Sequence, residues 1–94
     1  MRFKLGFVDD AMKEWRKLDR GTREQFKTKL MERLEEPRVS AANMRGHQDR
    51  YKIKLRSVGY RLVYEVRNTE LIVVVVAVGK CERNAVYLAA AKRT

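Results

Sequence analysis

The sequence predicts an α+β domain in which an N-terminal helical hairpin packs on a small antiparallel sheet and a short helix ends the chain. Three observations predict this class. Apolar residues recur every three or four positions between residues 12 and 34, as in amphipathic helices. They alternate with cations through residues 51–66, as in half-buried strands. A largely β-branched apolar run fills residues 71–78, and a chain of 94 residues forms one domain, 1–94.

The first segment predicts a strand followed by a helix. Apolar residues alternate with charged or small ones through residues 3–7 (FKLGF), which indicates a short strand. Asp9 or Asp10 can cap the following helix, because a carboxylate at a helix N-terminus accepts backbone hydrogen bonds and opposes the helix dipole. The apolar face of this first helix consists of Met12, Trp15 and Leu18.

A second helix is predicted from near Thr22, because Thr22 and Gln25 have the spacing of a capping box. Pro37 ends it. Its apolar residues recur every four positions, at Phe26, Leu30 and Leu34. Two consecutive amphipathic helices separated by a short break indicate a helical hairpin with both apolar faces in the core.

The second half of the chain predicts three strands and one helix. Residues 38–50 are rich in polar and small residues and indicate a loop, and strands follow at 51–56, 60–66 and about 70–78. The last strand is expected to be central, because an exposed "IVVVV" segment favours aggregation. Asn84 can cap the short C-terminal helix.

The hairpin "YKIKLRSVGYRLVY" (51–64) admits two pairings. Pairing Arg56 with Tyr60 sets every cation opposite an apolar residue. Pairing Ser57 with Tyr60 leaves residues 58–59 (VG) as a two-residue turn, in which the glycine can take a positive φ. We favour the second pairing because it turns the apolar residues toward the helices. The predicted cationic face has Lys52 opposite Glu65, Lys54 opposite Val63 and diagonal to Arg61, and Arg56 opposite Arg61.

The charge balance predicts an anionic partner. The chain has 22 Lys+Arg and 12 Asp+Glu, a net charge of +10, and self-repulsion of this size weakens a small fold. Nucleic acid fits best, because its phosphates attract clustered lysines and arginines. An acidic protein, an anionic membrane surface and plain solubility stay open as alternatives. For the hairpin, a binding role and a solvated face that protects an edge strand stay equally open.

The cysteine content and the apolar segments bear on localisation. The single cysteine, Cys81, excludes an internal disulfide and fits a reducing compartment. The N-terminal "MRFKLGFVDD" does not resemble a secretory signal, and residues 71–78 are too few to span a bilayer. We therefore expect a cytoplasmic protein with no membrane partner.

The sequence lacks the residues that several kinds of catalytic or binding site require. His47 is the only histidine, so neither a zinc ligand set nor a serine–histidine pair is recognisable, and "VGKCERN" lacks the phosphate-loop spacing. We predict no metal and no cofactor. Cleavage of RNA by its own 2′-hydroxyl needs proton transfer and stabilisation of phosphoryl charge. Arginine binds phosphate bidentately, a lysine among cations has a lowered pKa, and tyrosine stacks on bases. Residues suited to these tasks are Lys52, Lys54, Arg61 and Tyr87.

The chain closely resembles the RelE branch of the RelE/ParE toxin superfamily. Three stretches carry the resemblance, which covers essentially the whole chain: "MKEWRKLD", "NMRGHQDRYKIKLRSVGYRLVYEV" and "VVVAVGKCERNAVYLAA". The resemblance implies a twisted antiparallel sheet with two N-terminal helices and a C-terminal helix. It also implies metal-free cleavage of mRNA in the A site of the 30S ribosomal subunit, giving a 2′,3′-cyclic phosphate. The implied partners are the ribosome, mRNA, a RelB-like antitoxin that displaces the last helix, and operator DNA bound through the toxin–antitoxin complex.

The resemblance also implies roles for individual residues. Lys52 and Lys54 match the family's catalytic lysines, with Lys54 as the proton carrier, Arg61 matches its phosphate-stabilising arginine, and Tyr87 its tyrosine near the scissile nucleotide. Arg45 and Arg83 match RNA-contacting basic residues of the family, and we add Arg56 and Lys80 as further candidates for RNA contact.

One position departs from the family pattern, because this chain reads "GKCER" where "GKRER" is expected. Cys81 thus replaces a second catalytic arginine, and a thiol cannot supply a charged bidentate fork. We hypothesise that activity is reduced while binding survives; compensation by Lys80 or Arg83 stays open.

Two other functions stay open beside the endoribonuclease. One is a non-nuclease toxin like the ParE branch, which acts on gyrase. The other is a nuclease-dead component that serves only in antitoxin binding and operon repression.

Overall fold

One four-stranded sheet with three α-helices forms the fold. The computed structural model describes residues 2–44, 49–80 and 85–93. Along the chain the elements are β1 (Lys4–Phe7), α1 (Asp9–Arg16), α2 (Arg20–Glu35), a 3₁₀ turn (Ser40–Ala42), β2 (Arg50–Leu55), β3 (Tyr60–Arg67), β4 (Ile72–Lys80) and α3 (Ala85–Lys92). The predicted α+β class, with its helical hairpin and C-terminal helix, is confirmed.

The strand order across the sheet is β1-β4-β3-β2. Strand β3 pairs antiparallel with both β2 and β4, whereas β1 lies parallel to β4, with Leu5 opposite Val73. The sheet is therefore mixed, because the first strand adds a parallel edge to three antiparallel strands. The central position predicted for the apolar strand is confirmed for β4, which has neighbours on both sides.

The two faces of the sheet are covered unequally. The larger core lies between the sheet and the N-terminal helices and contains Phe26, Leu30 and Tyr64, each buried. Rings of Phe7 and Phe26 extend it around Trp15, at centroid distances of 5.2 and 6.4 Å. On the opposite face a smaller cluster forms under α3, from Val63, Val76, Ala77, Val86 and Ala90.

A register shift in β4 changes which of its side chains face each of the two cores. Val63 lies opposite Ala77 but Tyr64 lies opposite Val75, so Val76 is an extra residue in the ladder. Because of this β-bulge, Val76 and its neighbour Ala77 both belong to the smaller cluster. Strict alternation would place them on opposite faces.

The helix starts differ from those predicted. Val8, not Asp9 or Asp10, is the N-cap of α1, and it makes no side-chain cap hydrogen bond. The cap of α2 is Asp19, whose carboxylate accepts from the Thr22 backbone N–H at 3.1 Å and from the Thr22 hydroxyl at 2.6 Å. These bonds hold the pKa of Asp19 below its usual value, and the bond from the Thr22 hydroxyl contributes most. The predicted capping box at Thr22 is therefore wrong, because that hydroxyl already serves Asp19.

The hairpin pairing is shifted by two residues from the prediction. Lys54 lies opposite Arg61 and Leu55 opposite Tyr60, so a four-residue loop, 56–59, replaces the expected two-residue turn. A two-residue shift keeps every side chain on its predicted face. The observed register stacks Tyr51 on Tyr64 at 5.6 Å and sets Arg50, rather than Lys52, opposite Glu65. Gly59 has the expected positive φ, 67°.

The remaining boundaries shift by one or two residues. Strands predicted at 51–56, 60–66 and about 70–78 lie at Arg50–Leu55, Tyr60–Arg67 and Ile72–Lys80. Asn84, predicted to cap the last helix, is outside the described residues. None of the helices in the described ranges has the length and apolarity that crossing a bilayer requires.

Candidate nucleic-acid interface

Four predicted site residues meet on the face of the sheet that carries α3. Arg61 on β3 donates from Nη1 to the Tyr87 hydroxyl at 3.2 Å, and its guanidinium carbon lies 5.3 Å from the Tyr87 ring centroid. The Lys52 ammonium lies 5.9 Å from the same centroid. Lys54 is directly opposite Arg61 in the strand ladder, and such pairs project from one face. Two cations therefore flank one aromatic ring, with a third alongside.

Close packing of α3 on the sheet positions the Tyr87 ring. Val86 and Ala90 are buried against Val63, Val76 and Ala77. Gly79 lies opposite Arg61 in the sheet, and a Cβ at Gly79 would lie 3.4 Å from the Val86 side chain. The start of α3 therefore lies within van der Waals distance of the strand beside Arg61.

Two arginines hold the far end of α3. Arg50 is buried, donates to the carbonyl oxygens of Ala90 (2.6 Å) and Arg93 (2.8 Å), and pairs with Glu65 at 3.1 Å. Arg93 contacts both carboxylate oxygens of Glu14 on α1, at 2.7 and 3.2 Å. Hydrogen bonding to Glu14 is the main reason that the pKa of Arg93 is raised. We call Arg50, Glu65, Arg93 and Glu14 the α3 clamp.

A cleft of about 370 Å³ opens beside the cation cluster, at the hairpin end of the sheet. Its lining includes the cations Lys54, Arg56 and Arg61. Among the described residues, no carboxylate forms an ion pair with Lys52, Arg56 or Arg61. The cleft therefore presents concentrated positive charge next to a partly exposed aromatic ring, an arrangement that suits an anionic ligand with a planar base.

Other predicted site residues lie elsewhere. Lys80 is opposite Tyr60 in the ladder, on the face that carries the N-terminal helices, and lines a hollow with Glu14 and Lys17. The structure therefore does not bring Lys80 to the cation cluster. Arg45, Cys81 and Arg83 fall outside the described residues. Within the described ranges, no three His, Cys, Asp or Glu side chains are grouped as metal ligands.

Sequence reasoning missed Arg33 and Arg50. Arg33 on α2 donates to the Tyr64 hydroxyl at 2.8 Å, and Arg50 caps α3. A signal for Arg33 was present, since it follows Phe26 and Leu30 at the i, i+4, i+7 spacing of the buried stripe. A cation at such a position needs a polar partner. Arg50 gave no comparable signal, because its partners lie 40 and 43 residues away.

Comparisons with known proteins identify the family of this chain. The family model described as "ParE toxin of type II toxin-antitoxin system, parDE" matches residues 6–85. The chain is 55% identical over 93 residues to the mRNA interferase toxin RelE of Escherichia coli K12, covering 99% of this chain and 98% of that protein.

Solved structures show the same fold. An E. coli RelE toxin with two arginine-to-alanine substitutions, in the free state, matches with a TM-score of 0.91 and 53% identity, covering 98% of this chain and 97% of that one. The toxin of the intact E. coli RelBE toxin–antitoxin complex matches with a TM-score of 0.83 and 56% identity, over 86% and 99% of the two chains. The chain therefore belongs to the RelE/ParE superfamily of toxins from type II toxin–antitoxin systems.

Proposed function

We propose that this protein is an endoribonuclease that cleaves mRNA in the ribosomal A site and is neutralised by a RelB-like antitoxin. One observation carries the proposal: Lys52, Lys54, Arg61 and Tyr87 share one face, with Arg61 and Lys52 beside the Tyr87 ring. The relative that is 55% identical is named an mRNA interferase, and E. coli RelE is solved in complex with RelB. Both support the proposal.

The reaction needs three contributions from the protein. The 2′-oxygen attacks the adjacent phosphorus, the bond to the 5′-oxygen breaks, and the products are a 2′,3′-cyclic phosphate and a 5′-hydroxyl. Lys54 is the proton carrier, with Lys52 beside it, for the proton that leaves the 2′-hydroxyl and the proton that the 5′-oxygen takes up. Arg61 stabilises negative charge on the phosphoryl oxygens, and the Tyr87 ring stacks against a base. This scheme uses no metal and no cofactor.

Within this proposal Cys81 reduces the rate. An arginine at this position would add a second guanidinium fork for the phosphoryl oxygens, and loss of one such donor costs on the order of 10²–10³ in rate. Lys80 does not compensate, because it projects from the face opposite the cation cluster. The remaining cations suffice for binding, so affinity for the ribosome survives.

The proposal extends to regulation and location. A RelB-like antitoxin displaces α3, which removes Tyr87 from Arg61 and Lys52, and the toxin–antitoxin complex represses its own operon by binding operator DNA. The protein acts in the cytoplasm, on the 30S subunit. Arg56, which lines the cleft, adds an RNA contact, and Arg45 and Arg83 are proposed to do the same.

Primer-extension mapping of cuts on ribosome-bound message tests the proposal. We expect the wild type to cleave within the A-site codon and Cys81→Arg to cleave about 10²–10³ faster. Arg61→Met should lose activity, whereas Lys27→Met, a change on the exposed face of α2, should keep it. Absence of cuts with the wild type and with Cys81→Arg would refute the nuclease. Equal rates for these two proteins would refute attenuation by Cys81.

A second candidate is a non-nuclease toxin of the ParE type, favoured by the description of the family model that matches residues 6–85. Expression in a bacterial host separates the two. A ribonuclease stops protein synthesis first, whereas a gyrase-directed toxin first damages DNA. Incorporation of labelled methionine, measured beside a DNA-damage reporter, distinguishes these outcomes.

A further inference from the structure

A second basic groove lies at the edge of the sheet, beside β2. It has a volume of about 270 Å³, and its lining contains four cations: Arg33 from α2, Lys52 and Lys54 from β2, and Arg56 from the hairpin loop. The remaining described lining residues are apolar and belong to the stretch around the 3₁₀ turn. Among the described residues that line the groove, none is acidic.

Arg33 reaches this edge from the other face of the sheet. Its Nη1 donates to the Tyr64 hydroxyl at 2.8 Å and lies 3.5 Å from the Lys52 carbonyl oxygen. Its guanidinium carbon lies 5.7 Å from the Tyr64 ring centroid. Because one nitrogen makes these bonds, the side chain is fixed in place while its Nε and Nη2 groups make no hydrogen bond to the described residues. A guanidinium has five N–H donors, so a bidentate edge is left for a ligand.

The groove and the cleft share two cations. Lys54 and Arg56 line both, so positive charge runs without interruption from Arg61 to Arg33. Four like charges around one groove weaken the fold unless an anion offsets them. A strand of RNA fits this layout, because its successive phosphates can occupy the cleft and the groove in turn, whereas a single anion would occupy only one.

We infer that this groove binds a second RNA phosphodiester, with Arg33 as its bidentate ligand, next to the phosphate that is cleaved. The inference rests on the proposed ribonuclease function and extends it, because it assigns an RNA contact to α2. The phosphodiester belongs either to the message or to ribosomal RNA, which have the same chemistry at this site. An acidic protein segment is the competing occupant, and binding measurements separate it.

Affinity for programmed ribosomes tests the inference. The message carries a 2′-O-methyl group in the A-site codon, so that binding is measured without cleavage. We expect Arg33→Gln to weaken binding about tenfold and to reduce the slope of log affinity against log salt by about 0.7–0.9, the loss of one phosphate contact. Arg33→Lys should keep most of the slope. Lys27→Gln is the matched control, because Lys27 is an exposed cation of the same helix outside the groove.

A modified message identifies the source of the phosphate. If the groove holds mRNA, a neutral methylphosphonate beside the scissile phosphate weakens wild-type binding, and Arg33→Gln then adds no further loss. If it holds ribosomal RNA, the two losses add. Melting temperatures check that each variant is folded. We expect Arg33→Gln to fold, because the bond from the Tyr64 hydroxyl to the Pro37 carbonyl oxygen does not involve Arg33.

The possible failures are distinguishable. If Arg33→Gln binds ribosomes as Lys27→Gln does while the wild type binds and cleaves, the groove inference is wrong and the nuclease stands. If Arg33→Gln loses affinity only for a polyglutamate peptide, the groove binds acidic protein, and the inference is likewise wrong. A wild type that neither binds nor cuts on ribosomes refutes the proposed function, and the groove assignment with it.

Discussion

Tyr64 connects the sheet, α2 and the loop after α2 through one hydroxyl group. The residue is completely buried, and its hydroxyl donates to the Pro37 carbonyl oxygen at 2.7 Å while accepting from Arg33 at 2.8 Å. Burial raises the pKa of Tyr64, and the Arg33 guanidinium opposes this only in part. The hydroxyl therefore stays protonated and serves as a donor inside the core.

Replacing Tyr64 by phenylalanine should lower the free energy of unfolding by about 1–3 kcal/mol, because the buried Pro37 carbonyl oxygen loses its donor. Urea unfolding measures this loss. Tyr60→Phe is the matched control, since the half-buried Tyr60 makes no side-chain hydrogen bond to the described residues; its effect should stay within about 0.5 kcal/mol. Equal losses in the two variants would show that the Tyr64 hydroxyl contributes nothing.

Glu65 should make stability fall in acid. Burial acts to raise the pKa of Glu65, but hydrogen bonds from Arg67 and Arg50 outweigh it, so the pKa lies below its usual value. Since the unfolded chain then takes up a proton more readily, the stabilisation is present above the unfolded pKa, about 4.3, and is lost as pH falls through the folded pKa. Urea unfolding between pH 3 and 7 should show a shallower decline for Glu65→Gln than for the wild type. Parallel curves would contradict this prediction.

At the scale of elements, α3 is joined to the rest of the molecule by the α3 clamp at one end and by Tyr87 near the other. Arg50 satisfies two carbonyl groups at the C-terminal end of the helix, where backbone acceptors otherwise lack partners. Cations at a helix C-terminus also oppose its dipole. The clamp thus holds the helix that places the Tyr87 ring beside Arg61.

Loss of Arg50 should loosen α3 selectively. We expect Arg50→Met to lower the free energy of unfolding by about 2–4 kcal/mol, because the Arg93 carbonyl oxygen and part of the Glu65 charge lose their partner and the Ala90 carbonyl oxygen loses one of two donors. Amide exchange in residues 85–93 should accelerate more than exchange in β3. Arg67→Met is the control: it contacts the same carboxylate from a more exposed position and should cost about 1 kcal/mol or less. Uniform acceleration across the sheet would contradict a local role for Arg50.

The sequence pattern predicted the type of each strand and each α-helix but not the 3₁₀ turn, and the errors lie where a single contact determines the structure. The stripe of Phe26, Leu30 and Leu34 is buried as expected. The start of α2 was predicted wrongly because Asp19 competes with Thr22 for the cap. The hairpin register depended on the Tyr51–Tyr64 stack, a contact between strands that local spacing does not encode.

The cations of the candidate site could be predicted from the alternating pattern of the strands. Alternation placed Lys52, Lys54 and Arg61 on one face in the favoured pairing, and the observed register keeps them there because a two-residue shift preserves the face. The position of Tyr87 came only from family resemblance, because its place depends on how α3 packs across the sheet. The parallel pairing of β1 with β4 was likewise beyond local pattern.

For the whole molecule, the net charge of +10 should make the proposed association with ribosomes salt-dependent. The proposed phosphate contacts of Lys52, Lys54, Arg56, Arg61 and Arg33 give an expected slope of log affinity against log salt of about −3.5 to −4.5. Binding to programmed ribosomes at several potassium concentrations measures it. A flat dependence would mean that the basic face is not the contact surface.

The β-bulge at Val76 makes the length of β4 more critical than its exact composition. Exchanges among similar aliphatic residues around it alter packing by a methyl group or less. Deletion of Val76 would leave Ala77 opposite Val63 and Val75 opposite Tyr64 in a regular ladder, whereas insertion of one residue would put the strand beyond the bulge out of frame. Ala77 and Gly79 would then point toward the N-terminal helices and Val78 toward α3, so α3 would lose its packing surface beside Arg61.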